Sequence, residues 1–230
     1  MTVTISSGII IGAGVSITPP ASLVTNGLVL NLDAGNSASY SGTGTTWNDL
    51  SGAGNNATLN GSTPWTSAGN QSYFTFSSGY AEIVSVLPNT AYTKIGIFRV
   101  SGNYVNLMSG NSGGSGHAFW GAATPYLQSG HNGQWYTIES PVVTPTNQWV
   151  FGAVTFDSTT GWCLYLNSEA VVTNSDTTQF TDNPALVQVG AFDGSNNLGG
   201  DVAVSLIYNR ALSGAEITQN FTALRGRFGI

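Results

Sequence analysis

The sequence predicts an all-β protein, an antiparallel two-sheet β-sandwich with one short C-terminal helix and an extended N-terminal arm. Short apolar segments separated by Gly, Asn and Ser turns recur along most of the 230 residues, which is typical of antiparallel strands. A clear helix start occurs only near the C-terminus, and many strands followed by one helix favour a sandwich. Charged residues make up 7% of the chain, against about 25% in an ordinary domain, so the surface is polar without being ionic.

Residues 1–24 are predicted to form an extended attachment arm, and residues 25–230 to form the sandwich domain. Apolar side chains of the arm fall largely on alternate positions, as in a strand with one apolar face. They are Val3, Ile5, Ile9, Ile11, Val15 and Ile17. The Pro19-Pro20 pair that follows cannot continue a hydrogen-bonded ladder, so we interpret the segment as an arm that pairs with the edge of a neighbouring subunit. A first strand of the domain itself is the alternative.

Twelve segments after Gly27 have the length and composition of strands. They are Leu28 to Asp33, Ser72 to Phe76, Ala81 to Leu87, Tyr92 to Val100, Tyr104 to Met108, His117 to Trp120, Gln134 to Ile138, Gln148 to Phe156, Trp162 to Asn167, Ala170 to Val172, Leu186 to Phe192 and Asp201 to Tyr208. The segments on either side of the Asp157 to Gly161 turn form a hairpin pattern, and Asn167-Ser168 predicts a second tight reversal.

One helix is predicted from residue 213 onward. Ser213 is a capping residue, and Glu216, three positions later, can reach back to the Ser213 amide to complete a capping box. Leu212 and Ile217 are spaced as a hydrophobic staple across this start. The apolar face continues through Phe221 and Leu224, and Gly226 is the predicted end of a three-turn helix.

Charge and cysteine usage exclude several classes of function. The net charge is -6, and only five residues are basic, too few to neutralise a row of phosphates, so we expect neither nucleic acid nor an anionic membrane as a partner. The chain contains no apolar run long enough to span a membrane and no signal peptide pattern at its start. Cys163 is the only cysteine, which excludes an intramolecular disulfide, and we interpret it as a small buried hydrophobe rather than a nucleophile.

Two stretches resemble a known family. WNDLSGAGNNATL at residues 47–59 follows LNLDAG at residues 30–35, and GDVA at 200–203 precedes IYNRALS at 207–213. These resemble the two ends of laminin-G-like, concanavalin A-like jelly-roll domains. The form of the match, including RGRFG at residues 225–229, is similar to versions found in structural proteins of tailed bacteriophages. The resemblance implies two curved sheets, a last strand beside the first, binding of glycans or proteins, and in some members calcium at a rim.

Glycoside hydrolases share this sandwich, but the sequence does not favour catalysis. A retaining glycosidase needs two carboxylates about 5 to 5.5 Å apart, whereas Glu82, Glu139 and Glu169 each stand alone and Glu216 is explained as a helix cap. His117 and His131 lack the partners of a zinc site, so we interpret them as histidines satisfied within the fold or exposed to solvent. We therefore expect no enzyme activity and no required cofactor.

Aromatic residues among Gly-rich loops of the central region suggest a carbohydrate site, because a sugar ring stacks its C–H face on an aromatic plane. The candidate glycan-binding residues are Trp65, Trp120, Tyr126, His131 and Trp135. The aromatic residues expected in the core instead are Trp149, Trp162 and Phe156.

A calcium site is a further candidate, between residues 193 and 201, where Asp193, Asn196 and Asp201 offer the hard oxygen ligands that calcium prefers. Asp, Gly, Ser and Asn are also the residues that hairpin turns require, so we favour a polar turn over a metal site.

Taken with the resemblance, these features predict a non-enzymatic bacteriophage virion protein. We expect it on the particle surface as a capsid decoration protein, attached to other capsid or tail proteins through the N-terminal arm and forming a homo-oligomer there. A tail fibre or receptor-binding component that recognises host surface glycans is the alternative, and a glycoside hydrolase is the distant one.

Overall fold

The computed structural model describes residues 21–101, 106–110, 116–121, 125–181 and 185–230. The six apolar positions of the predicted arm, from Val3 to Ile17, lie outside the described residues. The strands are β1 Leu28–Asp33, β2 Thr46–Trp47, β3 Ala57–Ser62, β4 Trp65–Thr66, β5 Tyr73–Phe76, β6 Ser78–Leu87, β7 Ala91–Val100, β8 Met108–Ser109, β9 His117–Gly121, β10 Tyr126–His131, β11 Ile138–Val143, β12 Val150–Asp157, β13 Gly161–Leu166, β14 Glu169–Asn174, β15 Ala185–Val189 and β16 Gly200–Tyr208, and the helix is α1 Gly214–Phe228.

The strands form two layers, as predicted for a β-sandwich. One layer is a large sheet in the order β14-β13-β12-β7-β16-β5-β4, and β1 also pairs with β16, so the first strand lies beside the last. The other layer consists of β2-β3-β6-β15-β8 and β11-β10-β9. Backbone hydrogen bonds from Leu107 N to Phe119 O and from Gly110 N to His117 O join these two segments. The pairings between named strands are antiparallel, and the predicted fold class is confirmed.

The large sheet is buried on both faces, and β7 shows why. Its residues Tyr92, Phe98 and Val100 pack in the core between the layers, whereas Ile95 and Ile97 point to the opposite face. Successive residues of a strand point to opposite sides, so a strand covered on both sides is apolar almost throughout. The low charge content of the chain follows in part from this double burial.

Helix α1 covers the outer face of the large sheet, and its start was predicted correctly. Ser213 accepts from the Glu216 amide and the Glu216 side chain accepts from the Ser213 amide, which is the expected capping box. The predicted end at Gly226 is wrong: the helix continues to Phe228 and stops at Gly229, which has a φ of 71°. Phe228 is buried against the sheet, so packing extends the helix one turn beyond the first glycine.

The strand prediction is wrong between residues 126 and 138, and β2, β3 and β4 were not predicted either. Gln134 to Ile138 was expected to be a strand, but the strand begins at Ile138 and residues 132–137 form a loop. The preceding segment, β10, was not predicted. Both hairpin predictions are confirmed, since β12 pairs with β13 and β13 with β14. Within the described ranges no helix is long and apolar enough to span a membrane.

Four of the five basic residues serve the fold directly. Arg99 pairs with Asp201, Arg210 with Glu216 and Arg227 with Asp33, and Lys94 is fully buried. The Arg227 pair ties the last turn of α1 to the end of β1.

Candidate functional site

Trp120 and Trp135 come together on the outer surface of the smaller layer. Phe119 is fully buried in the core, so its neighbour Trp120 on β9 points outward, because adjacent strand residues alternate. The two indole rings lie 5.6 Å apart with an angle of 58° between their planes. Trp120 Nε1 donates to the backbone oxygen of Trp135 at 2.8 Å, which fixes the loop against the strand.

The 132–137 loop reaches this position because β10 carries a glycine where the loop crosses it. A Cβ on Gly130 would overlap the backbone oxygen of Gln134. The chain reverses at Asn132 and Gly133, which have φ values of 55° and 77°, and returns with a hydrogen bond from Thr137 N to Ser129 O at 2.9 Å. The loop therefore covers the outer face of β10 and presents Trp135 beside Trp120.

Phe192 provides the third aromatic surface. It meets Trp135 edge to face at a centroid distance of 4.5 Å. Phe192 and Ser195 exchange two backbone hydrogen bonds of 2.9 Å around Asp193-Gly194, whose φ values of 50° and 65° are those that a two-residue hairpin turn needs. The turn sets the ring of Phe192 against the tryptophan pair.

Asn106 holds the far side of this turn in place. Its side chain is buried, donates to the backbone oxygen of Asn196 at 3.0 Å and accepts from Ser109 Oγ at 2.8 Å. Both ends of the Asn106 amide thus bind protein groups, which gives it a positioning role, whereas the side chain of Asn196 is exposed.

These groups enclose a cleft of about 230 Å³, named here the aromatic cleft. Its described lining is Asn106, Trp120, Trp135, Phe192 and Asn196. The volume is below the roughly 300 to 1,000 Å³ of drug-sized pockets and suits a single small ring. Three aromatic surfaces and amide groups, without an ionisable side chain in this lining, match a neutral ligand with both apolar C–H faces and hydroxyls.

The predicted glycan-binding residues do not all meet. Trp120 and Trp135 line the aromatic cleft, whereas Tyr126 lies half-buried on β10 opposite Val143 and does not line it. Trp65 lies on β4 at the edge of the large sheet, where its Nε1 donates to Ala34 O at 3.1 Å. Trp65 is also only partly exposed, because it packs against the core.

His131 needs a larger correction as a predicted sugar contact. Its side chain is buried between the layers, where Nε2 lies 2.7 Å from Thr178 O and Nδ1 lies 3.2 Å from the Tyr92 hydroxyl. Both ring nitrogens are therefore used inside the protein. Trp149, expected in the core, is instead half-buried on the outer side of the large sheet, against Tyr73 and Phe228.

The three candidate calcium ligands have separate surroundings. Asp193 lies in the hairpin turn, Asn196 lines the aromatic cleft, and the Asp201 carboxylate is bound by Arg99 and by Thr75 Oγ1 at 2.7 Å. Within the described residues, no three His, Cys, Asp or Glu side chains are grouped as a metal site would need. Calcium binding here stays a prediction.

Sequence reasoning missed Phe192, Asn106 and the cleft role of Asn196. Phe192 is the last residue of a predicted strand, and the Asp193-Gly194 pair after it is a hairpin-turn signal, so the two together could have suggested an aromatic ring presented beside a turn. No local pattern marks Asn106, because its role depends on a contact with a residue 90 positions away.

The fold and the cleft together define a jelly-roll β-sandwich with an aromatic recess on its smaller layer. The chain belongs to the concanavalin A-like lectin/glucanase superfamily, as a family model of laminin-G type matches residues 60–218. The comparison with curated proteins gives no significant match.

Several solved structures have a similar fold. Domain 4 of AbnA, a GH43 extracellular arabinanase from Geobacillus stearothermophilus solved in complex with arabinotriose, has a TM-score of 0.67 and 14% identity over 84% of this chain and 97% of that chain. A structure of botulinum neurotoxin type C, whose cell entry depends on interaction with two ganglioside molecules, has a TM-score of 0.63 and 16% identity over 87% of this chain and 52% of that chain. A Trypanosoma rangeli sialidase in complex with 2,3-difluorosialic acid has a TM-score of 0.64 and 14% identity over 86% of this chain and 33% of that chain. The present chain thus spans about half of the toxin chain and a third of the sialidase chain.

Proposed function

We propose that this protein is a non-enzymatic carbohydrate-binding domain whose ligand is a neutral sugar held in the aromatic cleft. The observation that carries the proposal is the cleft itself, with the rings of Trp120, Trp135 and Phe192 around about 230 Å³. Stacking on the rings supplies affinity, and the exposed Asn196 amide and nearby backbone groups supply hydrogen bonds to hydroxyls. The similar folds of an arabinanase domain solved with arabinotriose and of a toxin that interacts with gangliosides support a carbohydrate as the ligand, and arabinotriose is a neutral one.

The absence of a carboxylate from the described lining of the cleft supports binding without catalysis. Glycoside hydrolysis uses a pair of carboxyl groups on either side of the scissile bond. On the outer face nearby, Glu139 is engaged by the side-chain amide of Gln128. Elsewhere in the smaller layer, Glu82 accepts from Gln188 Nε2 at 2.9 Å. Neither is presented to the cleft as a free acid.

Replacing Trp135 is expected to weaken sugar binding strongly. W135A removes the ring that contacts both Trp120 and Phe192, and we expect roughly 10- to 100-fold weaker binding of any glycan found by array screening, since truncating a central aromatic residue commonly costs about 2 kcal/mol or more. Isothermal titration calorimetry with the best array ligand measures the effect.

W65A is the matched control, because Trp65 is also half-buried but lies in the large sheet. It is expected to retain the wild-type affinity. A W135A protein that is folded by circular dichroism and binds as tightly as wild type would contradict the proposed site, and so would a blank array with polysaccharide and oligosaccharide ligands.

We also propose that the domain is displayed on a bacteriophage particle, as a capsid decoration protein attached through the N-terminal arm, with a tail receptor-binding component as the alternative. The alternating apolar pattern from Val3 to Ile17 supports this. The end of the predicted arm is already fastened to the domain: Val24 N donates to Asn220 Oδ1 at 2.8 Å, and Ser22 O accepts from Gln219 Nε2. Residues 1–20 are therefore the part of the arm to which we assign the partner contact.

Deleting residues 1–20 is expected to abolish attachment without harming the domain. A truncation that starts at Ala21 keeps the Ser22 and Val24 contacts, so its melting temperature should equal that of the full chain. Cosedimentation with purified phage heads and, separately, tails measures attachment. Equal sedimentation of full-length and truncated protein with heads would refute the role of the arm, whereas arm-dependent sedimentation with tails alone would favour the receptor-binding alternative.

A further inference from the structure

A cluster of basic side chains lies in the core between the two layers. Lys94 of β7 is fully buried, and its Nζ lies 2.6 Å from Nδ1 of His117 on β9. His117 is directly opposite His131 of β10 in the strand register, and His131 contacts the Tyr92 hydroxyl. Lys94, His117 and His131 are named here the buried base cluster. Phe180 packs against both histidine rings.

The hydrogen bonds of the cluster fit neutral groups. Lys94 Nζ has two acceptors, His117 Nδ1 and Met108 O at 3.3 Å. They match the two N–H bonds of an uncharged amine, whereas the third N–H of an ammonium group would need a further acceptor. His117 Nε2 lies 3.0 Å from Leu186 O and His131 Nε2 lies 2.7 Å from Thr178 O. A carbonyl needs a donor, so each ring carries its proton on Nε2 and accepts on Nδ1.

The elements packed around the cluster offer little negative charge. Strand β7 contributes Tyr92 and Lys94, β9 and β10 contribute the two histidines, and β8 and β15 contribute the backbone oxygens of Met108 and Leu186. Strands β12 and β13 contribute the apolar rings of Phe156 and Trp162. The one carboxylate with an influence on His131 is Asp176, which is exposed and binds Thr178 N in its own turn. Within the described residues, none of the three cluster members forms an ion pair with a carboxylate.

We propose that the buried base cluster is an acid-sensitive switch, in which protonation of the histidines separates β9 and β10 from the large sheet in mildly acidic solution. A proton on His117 Nδ1 removes the acceptor of the Lys94 N–H and places a cation in the core, and a proton on His131 Nδ1 places a second cation against the Tyr92 hydroxyl. Two buried cations without a paired anion are strongly unfavourable. The strands that carry the histidines also carry Trp120 and hold the 132–137 loop, so opening dismantles the aromatic cleft.

The pH range of the switch follows from the two states. Burial lowers the pKa of His131 to about 4, and burial first and the adjacent Lys94 second lower the pKa of His117 well below 6.5. The unfolded chain has the ordinary histidine value near 6.5 and binds more protons, so the histidines remove stability as pH falls from about 6.5 towards 4. Burial also lowers the pKa of Lys94 well below 10.5, which adds a decrease that begins above pH 7.5 and is common to the wild type and the histidine variants. The pKa of Glu216, lowered to about 2 by Arg210, removes stability only below about 4.5, which separates the carboxylate effect from the switch.

Thermal melts of the full-length protein at pH 7.5 and pH 5.0 test the switch. We expect the wild-type melting temperature to fall by roughly 5 to 10 °C, given the usual sensitivity of a domain of this size. In H131Q, whose amide nitrogen can still donate to Thr178 O, the fall should be smaller than in wild type, because one of the two titrating histidines is removed while His117 and Lys94 remain. S129A is the matched control, because Ser129 lies on β10 like His131. The variant loses a buried hydrogen bond to Ala118 O of β9 but no titratable group, and its fall in melting temperature should equal that of wild type.

A second measurement keeps the proposal testable if H131Q fails to fold. The ring C2–H resonances of the two histidines, followed by NMR from pH 7.5 downward, should keep their neutral positions until the native signals disappear. Histidines that titrate near pH 6.5 within the folded protein, or a wild-type melting temperature unchanged at pH 5.0, would overturn the proposal. Neither readout requires a sugar, so its outcome is independent of the proposed function of the cleft.

Discussion

Replacing Gly190 by alanine is expected to destabilise the domain by about 3 to 5 kcal/mol, the sum of backbone strain and core overpacking. Gly190 follows β15 with a φ of 85°, and a Cβ at this position would lie 2.6 Å from Phe76 Cβ and overlap the start of its ring. Phe76 is fully buried and has little room to yield, because native cores are close-packed. Gly190 also donates to Leu107 O and accepts from Leu198 N, so a shift here displaces β15 and the turn that carries Phe192. Urea unfolding measures the loss.

The Gly199→Ala variant separates the two causes. Gly199 also has a positive φ, of 69°, but a Cβ added at Gly199 would have no other atom within 4 Å. Only the backbone cost of about 1 to 2 kcal/mol then applies. The expectation for Gly190 would be contradicted if both variants lost the same free energy of unfolding, because the contact with Phe76 would then contribute nothing.

The helix shows which features a sequence can predict. Its start is encoded by two residues three positions apart, and the capping box of Ser213 and Glu216 forms as expected. Its end is decided by distant contacts. Gly226 remains helical, and the next turn places Arg227 on Asp33 and Phe228 on the sheet. A local glycine signal could not anticipate these tertiary interactions, which outweigh the modest cost of glycine in a helix.

The central strands show the converse. Strand β10 was missed because its sequence, YLQSGH, has Ser129 and Gly130 where an ordinary strand has larger apolar residues. Those small residues are needed because the 132–137 loop lies over the strand. The aromatic residues of that loop are the reason that Gln134 to Ile138 is predicted as a strand from the sequence. The pairing of β10 with β9 could not be seen in the local pattern, since the register depends on both strands.

The candidate site was predictable only in part for the same reason. Trp135 could be suggested because it lies just after the Asn132-Gly133 turn, and Trp120 because it lies among the aromatic residues and Gly-rich loops of the central region. The burial of Lys94 runs against the strong tendency of lysine to be exposed. It follows from the position of Lys94 on β7, where even-numbered residues face the core. Its contact with His117 joins opposite layers, and no spacing within the sequence encodes it.

Replacing Asn220 by alanine is the second change with a large expected effect. Asn220 is a fully buried residue of α1. Its Oδ1 accepts from Val24 N at 2.8 Å and its Nδ2 donates to the Tyr208 hydroxyl at 3.0 Å, while that hydroxyl donates to Val24 O at 2.9 Å. N220A leaves the Val24 amide and one side of the hydroxyl without a partner inside the core. We expect a loss of about 2 to 4 kcal/mol of unfolding free energy, since each orphaned buried group costs about 1 to 3 kcal/mol.

The neighbouring residue provides the control for Asn220. Gln219 is exposed and makes one hydrogen bond, to Ser22 O at 2.9 Å, so Q219A should lie within about 0.5 kcal/mol of wild type. Because Val24 is the last residue of the predicted arm and is bound to the sandwich through Asn220, N220A should also expose residues 21–24 to protease earlier than Q219A does. Equal unfolding free energies and equal cleavage rates in the two variants would mean that the Asn220 network does not fasten this segment, and that apolar packing of Leu23 and Val24 alone holds it against α1.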